Sequence, residues 1–297
     1  MDRKQLKYSL LLVLTALIWG TAFVAQSQAT DDVGPFTFNA ARLIVGGVVL
    51  LPCIRLLDGL RAKRGEAAAT GSGKTLVIGG VCCGVVLFAA SAFQQAGIGY
   101  TTVGKAGFIT ALYIVLVPLT GVLIGKKVGA ALWLSVALAA AGMYLLCMTG
   151  ETGVNRGDIL CLVCALFFTG HILVIDHFSP HVDGVRLSAI QFFVGGGLSA
   201  LAMLIVERPD WHSVLAAWFP ILYAGVLSSA VGYTLQIIAQ KNVNPTLASL
   251  IMSLESVFSA LSGWLLIGQT LTLLELTGCA LMFAAIILAQ LPRKTRN

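Results

Sequence analysis

Apolar residues run along this chain in long blocks, separated by short polar or charged stretches. A helix that crosses a bilayer needs about 20 mostly apolar residues. Ten blocks meet that length, at 8–26, 36–56, 75–97, 103–124, 129–148, 157–176, 186–206, 214–238, 246–267 and 273–291. They predict an all-α integral membrane protein of ten transmembrane helices. The stretches between them are too short for a soluble domain, the longest being 57–74.

Composition agrees with that pattern. Of the 297 residues, 58% are hydrophobic and 11% charged, against roughly 25% charged in soluble domains. So few charges could not cover the surface of a soluble protein, which makes lipid the surrounding solvent. The net charge of +6 lies in clusters between apolar runs and forms no basic stripe, so nucleic acid is not the expected partner.

Those clusters set an orientation. Fifteen basic residues fall on the side of the N-terminus: Arg3, Lys4, Lys7, Arg55, Arg61, Lys63, Arg64, Lys74, Lys126, Lys127, Arg186, Lys241, Arg293, Lys294 and Arg296. Three fall on the other side, Lys105, Arg156 and Arg208, and Arg42 lies within a span. The positive-inside rule then predicts that both termini are cytoplasmic. Residues 1–29 resemble a secretory signal, with Ser27-Gln28-Ala29 as a cleavage site. The apolar run 8–26 is too long for one, however, and its pattern returns later in the chain.

The return follows constant spacings. An offset of 149 aligns Ala16-Leu17-Ile18-Trp19 with Ala165-Leu166-Phe167-Phe168, and Ala40, Gly46 and Gly47 with Ala189, Gly195 and Gly196. It sets Arg42 opposite Gln191. An offset of 142 aligns Gln94 with Gln236, Ala106 with Ala248, Ile109 with Ile251, Leu112 with Leu254 and Gly121 with Gly263, and sets Tyr113 opposite Glu255. The predicted organisation is two halves, 1–150 and 151–297, of five spans each. An odd number of spans forces the second half to enter the membrane from the opposite side. Inverted repeats of this kind are the mark of secondary transporters, with a central site near the bilayer midplane.

Several motifs carry a family resemblance: Ala16-Leu17-Ile18-Trp19-Gly20, Ala40-Ala41-Arg42-Leu43, Phe93-Gln94-Gln95-Ala96-Gly97, the run from Gly104 through Lys105 and Thr110 to Tyr113, and Ser253-Leu254-Glu255-Ser256-Val257-Phe258. Over 8–291 the chain resembles the EamA family of the drug/metabolite transporter superfamily. The resemblance implies ten helices in two inverted five-helix repeats around a central cavity lined by spans 1, 3, 4, 6, 8 and 9. It also implies transport of amino acids, metabolites or drugs, with nucleotide sugars in related branches. Two departures stand out. Ser256 occupies a place where the family often has Pro, and Gly125-Lys126 and Gly268-Gln269 stand where it often has Gly-Glu.

Candidate solute-binding residues are Trp19, Gln94, Tyr113, His171, Gln236 and Glu255. Glu255 sits midway along span 9, where a charge is costly unless it faces a cavity or a partner, and it suits proton coupling or amine recognition. Tyr113, at the equivalent place in span 4, offers a ring and a hydroxyl. Trp19 lies more than halfway into span 1. His171, two-thirds through span 6, is a second candidate coupling group. Gln94 and Gln236 fall near opposite leaflets and can bridge helices. Arg42 has a structural reading, snorkelling or pairing with Asp31 or Asp32, beside one of anion binding.

Other chemistries fit less well. Ala68-Ala69-Thr70-Gly71-Ser72-Gly73-Lys74-Thr75 imitates a phosphate loop but joins two membrane spans, with no nucleotide-binding domain around it. Cys161-x-x-Cys164 has a metal spacing without a second pair, and the seven cysteines read as small buried apolar side chains. Asp176, His177, His181 and Asp183 are spaced too irregularly for a membrane enzyme's site. A channel fits poorly with inverted halves. The expectation is a non-enzymatic, multi-pass secondary transporter of the cell membrane, plasma or inner, that needs no cofactor or metal. It moves small metabolites, amino acids or related compounds foremost, by alternating access in the direction of export, with proton or exchange coupling. Multidrug or nucleotide-sugar transport is the alternative. The lipid bilayer is the expected environment, and the chain a monomer or weak oligomer.

Overall fold

A computed structural model of the chain describes residues 3–63, 72–147, 155–268 and 272–290. Arg64, Arg293, Lys294, Arg296, Gln269, residues 68–71 and the junction at 150/151 lie outside them. Among the described residues the chain is all helix. Eight helical stretches are long and apolar enough to cross a membrane: Arg3–Ala29, Pro35–Lys63, Gly73–Ile98, Val103–Leu123, Arg156–His181, Gly184–Val206, Trp218–Gln240 and Pro245–Leu266. Of the ten predicted spans, the fifth and tenth correspond to shorter apolar helices, Ala130–Leu145 and Leu276–Ala289.

The outward surface shows what these helices face. Leu123 is 85% exposed, Ile205 83% and Leu204 71%, and similar side chains ring the bundle along most of its helices. Water would penalise an apolar surface of that extent, whereas lipid solvates it. The protein is a multi-pass membrane protein. Cys83, Cys161, Cys164 and Cys279 are buried as small apolar side chains, whereas Cys82 is half-buried and Cys53 exposed, and the Cys147 side chain lies outside the described ones.

The long helices α1 (Arg3–Ala29), α2 (Pro35–Lys63) and α3 (Gly73–Ile98) lead to a pair of half-helices, α4 (Val103–Thr110) and α5 (Tyr113–Leu123). Then come α6 (Ala130–Cys147), α7 (Arg156–Phe178), α8 (Gly184–Val206) and the short α9 (Trp211–Ala216) and α10 (Trp218–Leu222). A π-helical segment, Tyr223–Tyr233, runs into α11 (Thr234–Gln240). A second pair of half-helices, α12 (Pro245–Met252) and α13 (Glu255–Ile267), precedes α14 (Leu273–Gln290).

Packing brings together helices far apart in sequence: α2 against α8, α3 against α7, and α6 against α14. Small residues set the close approaches, as they do where lipid provides no hydrophobic drive between helices. A Cβ on Gly142 of α6 would stand 2.7 Å from the Gly278 carbonyl oxygen of α14. Only glycine lets those two backbones come so near.

The antiparallel pair α2 and α8 is held at both ends by carboxylates. At one end Glu207, just past α8, accepts from the Phe36 and Thr37 amides at 2.8 Å each and from the Thr37 hydroxyl at 2.6 Å. Those amides open α2 and lack intrahelical acceptors, so Glu207 caps a helix across the bundle. At the other end Asp58 accepts from Arg186 Nη2 at 2.6 Å, and Arg61 bonds Asp183 at 2.9 Å. The two fastenings share one spacing, since 207 − 58 and 186 − 37 both equal 149.

They differ in strength. The side chains of Arg186 and Asp58 are 36% and 40% exposed, and pairs so exposed contribute about 0–1 kcal/mol. Glu207 satisfies three donors, and a hydrogen-bonded charged group of that kind contributes about 1.5–3 kcal/mol. Glu207→Ala is therefore expected to lower the unfolding free energy in detergent micelles by about 1.5–3 kcal/mol, and Asp58→Ala by less than about 1 kcal/mol. Denaturant titration of both variants checks the order, and equal losses would contradict it.

Candidate functional site

The predicted spans 103–124 and 246–267 are not continuous helices. Each breaks once, at 111–112 and 253–254 respectively, and the breaks are 142 residues apart. At both the backbone tightens from four-residue to three-residue hydrogen bonds. The Leu112 amide reaches the Ile109 carbonyl at 3.2 Å, and the Leu254 amide reaches the Ile251 carbonyl at 3.2 Å. Broken helices of this kind are tolerated within a membrane where protein or a cavity surrounds the irregular backbone.

Tyr113 is the first residue after one break and Glu255 the first after the other. Both are buried, 2% and 3% exposed, and the Tyr113 hydroxyl donates to Glu255 Oε1 at 2.9 Å. Glu255 thus sits in the first turn of α13, where the aligned peptide dipoles favour a negative group. The Ser256 hydroxyl donates to the Gly107 carbonyl at 3.1 Å and the Ser259 hydroxyl to Val103 at 3.4 Å, which ties α13 to α4.

Around this pair is a cavity of about 340 Å³, open solvent at its mouth included. From α1 it takes Trp19, Phe23 and Gln26, and from α2 Arg42. Gln94 of α3, Thr110 of α4, Tyr113 and Phe168 add further wall, and Ser228, Tyr233 and Glu255 close it. Five of these eleven residues are aromatic, which suits an apolar or aromatic part of a solute, and the other six are polar or charged. Trp19 is fixed by its Nε1 donating to the Ser228 carbonyl at 3.2 Å, and its ring lies 4.7 Å from that of Tyr233.

Arg42 supplies the cavity's cation. It is 1% exposed, and its ring neighbour is Phe38 at 6.0 Å. Its Nε donates to Asn39 Oδ1 at 2.7 Å, while Asn39 Nδ2 donates to the Ser91 carbonyl at 2.9 Å. Nη2 is buried and has no partner among the described residues. Asp31 and Asp32, the acids the sequence offered for pairing, are exposed, and neither bonds it.

The sequence profile of the EamA-like transporter family matches this chain twice, over residues 6–148 and 155–291. The chain belongs to this family. It is 33% identical over 290 residues to an uncharacterized transporter of Archaeoglobus fulgidus, covering 97% of this chain and 87% of that one. It is 25% identical to the uncharacterized transporter YwfM of Bacillus subtilis, covering 98% and 96%. Escherichia coli YedA, an uncharacterized inner membrane transporter, is 22% identical over 93% of this chain and 88% of its own. A crystal structure described only as that of a protein superposes with a TM-score of 0.75 at 19% identity, covering 96% of each chain, and shares the fold.

In this EamA-like chain, four of the six residues singled out for solute binding come together at the cavity: Trp19, Gln94, Tyr113 and Glu255. His171 and Gln236 are not among its lining residues. His171 is fully buried, its Nε2 3.0 Å from Gln191 Oε1, and its ring packs edge-on to Tyr233 at 5.7 Å. Gln236 donates to Gln240, which in turn donates to the Ile172 carbonyl. Phe23, Gln26, Thr110, Phe168, Ser228 and Tyr233 line the cavity without having been singled out. Phe168 carried a signal, being aligned with Trp19 at the offset of 149, and Thr110 lies within the motif that runs from Gly104 to Tyr113. Tyr233 carried none, because its placement depends on the π-helical winding of its segment.

Ser256 also has an explanation. Its amide donates to the Ser253 carbonyl at 3.1 Å, a bond in the tightened turn that a proline at this position could not make. The family's alternative residue would alter the break on which Glu255 stands.

Gly20 sets the approach of α1 to Glu255. A Cβ there would stand 2.5 Å from Phe258 Cβ and 2.8 Å from the Glu255 carbonyl oxygen, both on α13. Gly20→Ala is expected to destabilise the protein by about 1–3 kcal/mol through overpacking. Gly197→Ala, at an exposed helical position with nothing within 4 Å, is expected to be neutral or to stabilise by up to about 1 kcal/mol. Thermal unfolding of the two variants in detergent checks the contrast, and a neutral Gly20→Ala would show that α1 does not rest on α13.

Proposed function

We propose that the chain is a secondary active transporter of small metabolites, amino acids or related compounds foremost, that works by alternating access between its two halves. It is read as a transporter and not an enzyme, of ten transmembrane helices with residues 1–150 and 151–297 as inverted repeats. Both termini are cytoplasmic, the membrane is the cell inner membrane, and the direction is export.

One observation carries this reading. Tyr113 and Glu255 are 142 residues apart, stand at equivalent helix breaks, and touch across 2.9 Å. Two positions exchanged by a rotation can touch only near its axis, so the axis runs through the cavity. A solute held there contacts both halves, and a rocking of one half against the other opens the cavity to either side in turn. The double match to one family profile and the shared spacing of the α2–α8 fastenings support the same symmetry.

The solute site in this reading is built by Trp19, Gln94, Tyr113 and Glu255. His171 and Gln236 support it from behind the wall. Glu255 is the coupling group: its carboxyl can exchange a proton with the cavity, and the Tyr113 hydroxyl holds it in place. His171, bonded to Gln191 behind Tyr233, is the second coupling candidate.

Purified protein in liposomes, given a panel of amino acids and metabolites and an imposed pH gradient, is expected to accumulate at least one of them. Glu255→Gln is expected to lose the response to the gradient and to slow transport about 10-fold or more, as removal of a charged hydrogen-bonding group worth roughly 1.5–3 kcal/mol implies. A Glu255→Gln protein that transports normally across pH would remove Glu255 from coupling. Failure of every solute to move would sink the reading. Cysteine-accessibility labelling that found either terminus outside would overturn the orientation.

A further inference from the structure

A guanidinium with an unpartnered donor, buried inside a membrane protein, demands a reason, because an isolated charge there is costly. Arg42 is held in place by neutral groups: Asn39 bonds its Nε, and the Ser91 carbonyl locks the Asn39 amide in the orientation that makes this possible. None of the described residues takes Nη2, and the side chain lines the cavity. At the equivalent position, 149 residues on, stands a neutral residue, Gln191, bonded to His171. The cation therefore belongs to one half only and is no requirement of the shared architecture.

We propose that Arg42 is the docking group for a carboxylate on the transported solute, so that the cavity selects solutes bearing a free carboxyl group. This rests on the reading of the chain as a small-metabolite transporter. The anion is a carboxylate and not a phosphate, because Arg42 is the single Lys or Arg among the described residues that line the cavity. A phosphate monoester carries nearly two charges and would leave one uncompensated. A charge-assisted bond from Nη2 completes the guanidinium. Glu255, in the same cavity, accepts a hydrogen bond from Tyr113 and has further lone pairs for an amine. An amphoteric solute meets both groups at once.

The test uses thermal unfolding of the purified full-length protein in detergent, with the standard amino acids and their amides as probes. Wild type is expected to be stabilised by at least one free amino acid, and the matching amide to bind about 10-fold or more weakly, since a site built for a polar group rejects an analogue that lacks it. Arg42→Gln is expected to bind acid and amide alike. Arg42→Lys, which keeps the charge but loses the planar fork, is expected to keep the preference while binding about 10-fold more weakly.

A wild type with no carboxylate preference would overturn the proposal, as would an Arg42→Gln protein that keeps the preference. If Arg42→Gln does not fold, Arg42→Lys decides: unchanged affinity overturns the assignment, and weakened affinity with the preference intact upholds it. The transport reading fails separately. Carboxylate-dependent stabilisation without flux in liposomes sinks transport and leaves Arg42 as a carboxylate site, whereas flux limited to solutes without a carboxyl group sinks Arg42 alone.

Discussion

A polar group inside a lipid-embedded bundle has no water to fall back on, and the hydrogen bond between Tyr113 and Glu255 is where this constraint bears hardest. The Glu255 carboxyl lies in the interior, 3% exposed, and must be met by a donor or by the cavity. It is met by both. For Tyr113 to reach it, each of two helices has to break at the residue before. For the broken ends to be tolerated, Ser256 and Ser259 tie one half-helix to the backbone of another. For α1 to pass this close, residue 20 has to lack a Cβ. Cavity, breaks and glycine contact follow from one buried carboxyl and the phenol that holds it.

The same economy explains which polar residues stay silent. Thr15, Thr169 and Ser199 donate to carbonyls three or four residues back or across a helix contact, which meets the donor without involving a solute. Gln236 donates to Gln240, which donates to the Ile172 carbonyl, while Gln236 Oε1 keeps no partner among the described residues. His171 bonds Gln191 through Nε2 and keeps Nδ1 over, outside the cavity lining. Within the cavity lining, the polar atoms left with capacity to spare among the described residues are Arg42 Nη2, Gln26 Oε1, Thr110 Oγ1 and the second oxygen of Glu255, and Arg42 is the one that carries a positive charge.

Much of the fold was legible because its two governing signals are one-dimensional. Apolar length marks the membrane helices, and the constant spacing of 142 set Tyr113 opposite Glu255 before any contact between them was known. The breaks at 111–112 and 253–254 were not legible. Neither carries a glycine or proline at the break itself, and both arise from how the half-helices pack. The π-helical winding of Tyr223–Tyr233 was hidden for the same reason, and it decides that Tyr233 faces the cavity while Gln236, one turn further on, does not line it.

His171 and Arg42 show why a titratable residue in a span is an ambiguous signal. Both are intramembrane polar residues two-thirds or less of the way along an apolar run, and sequence gives no basis for ranking them. The difference lies in their neighbours. His171 bonds the Gln191 amide oxygen through Nε2, keeps Nδ1 without a partner among the described residues, and stands outside the cavity lining. Arg42 finds an amide too, but a guanidinium has five donors and Asn39 takes one of them. A side chain with more hydrogen-bonding capacity than its surroundings can absorb, held rigidly at the edge of a cavity, is oriented toward something the chain does not itself contain.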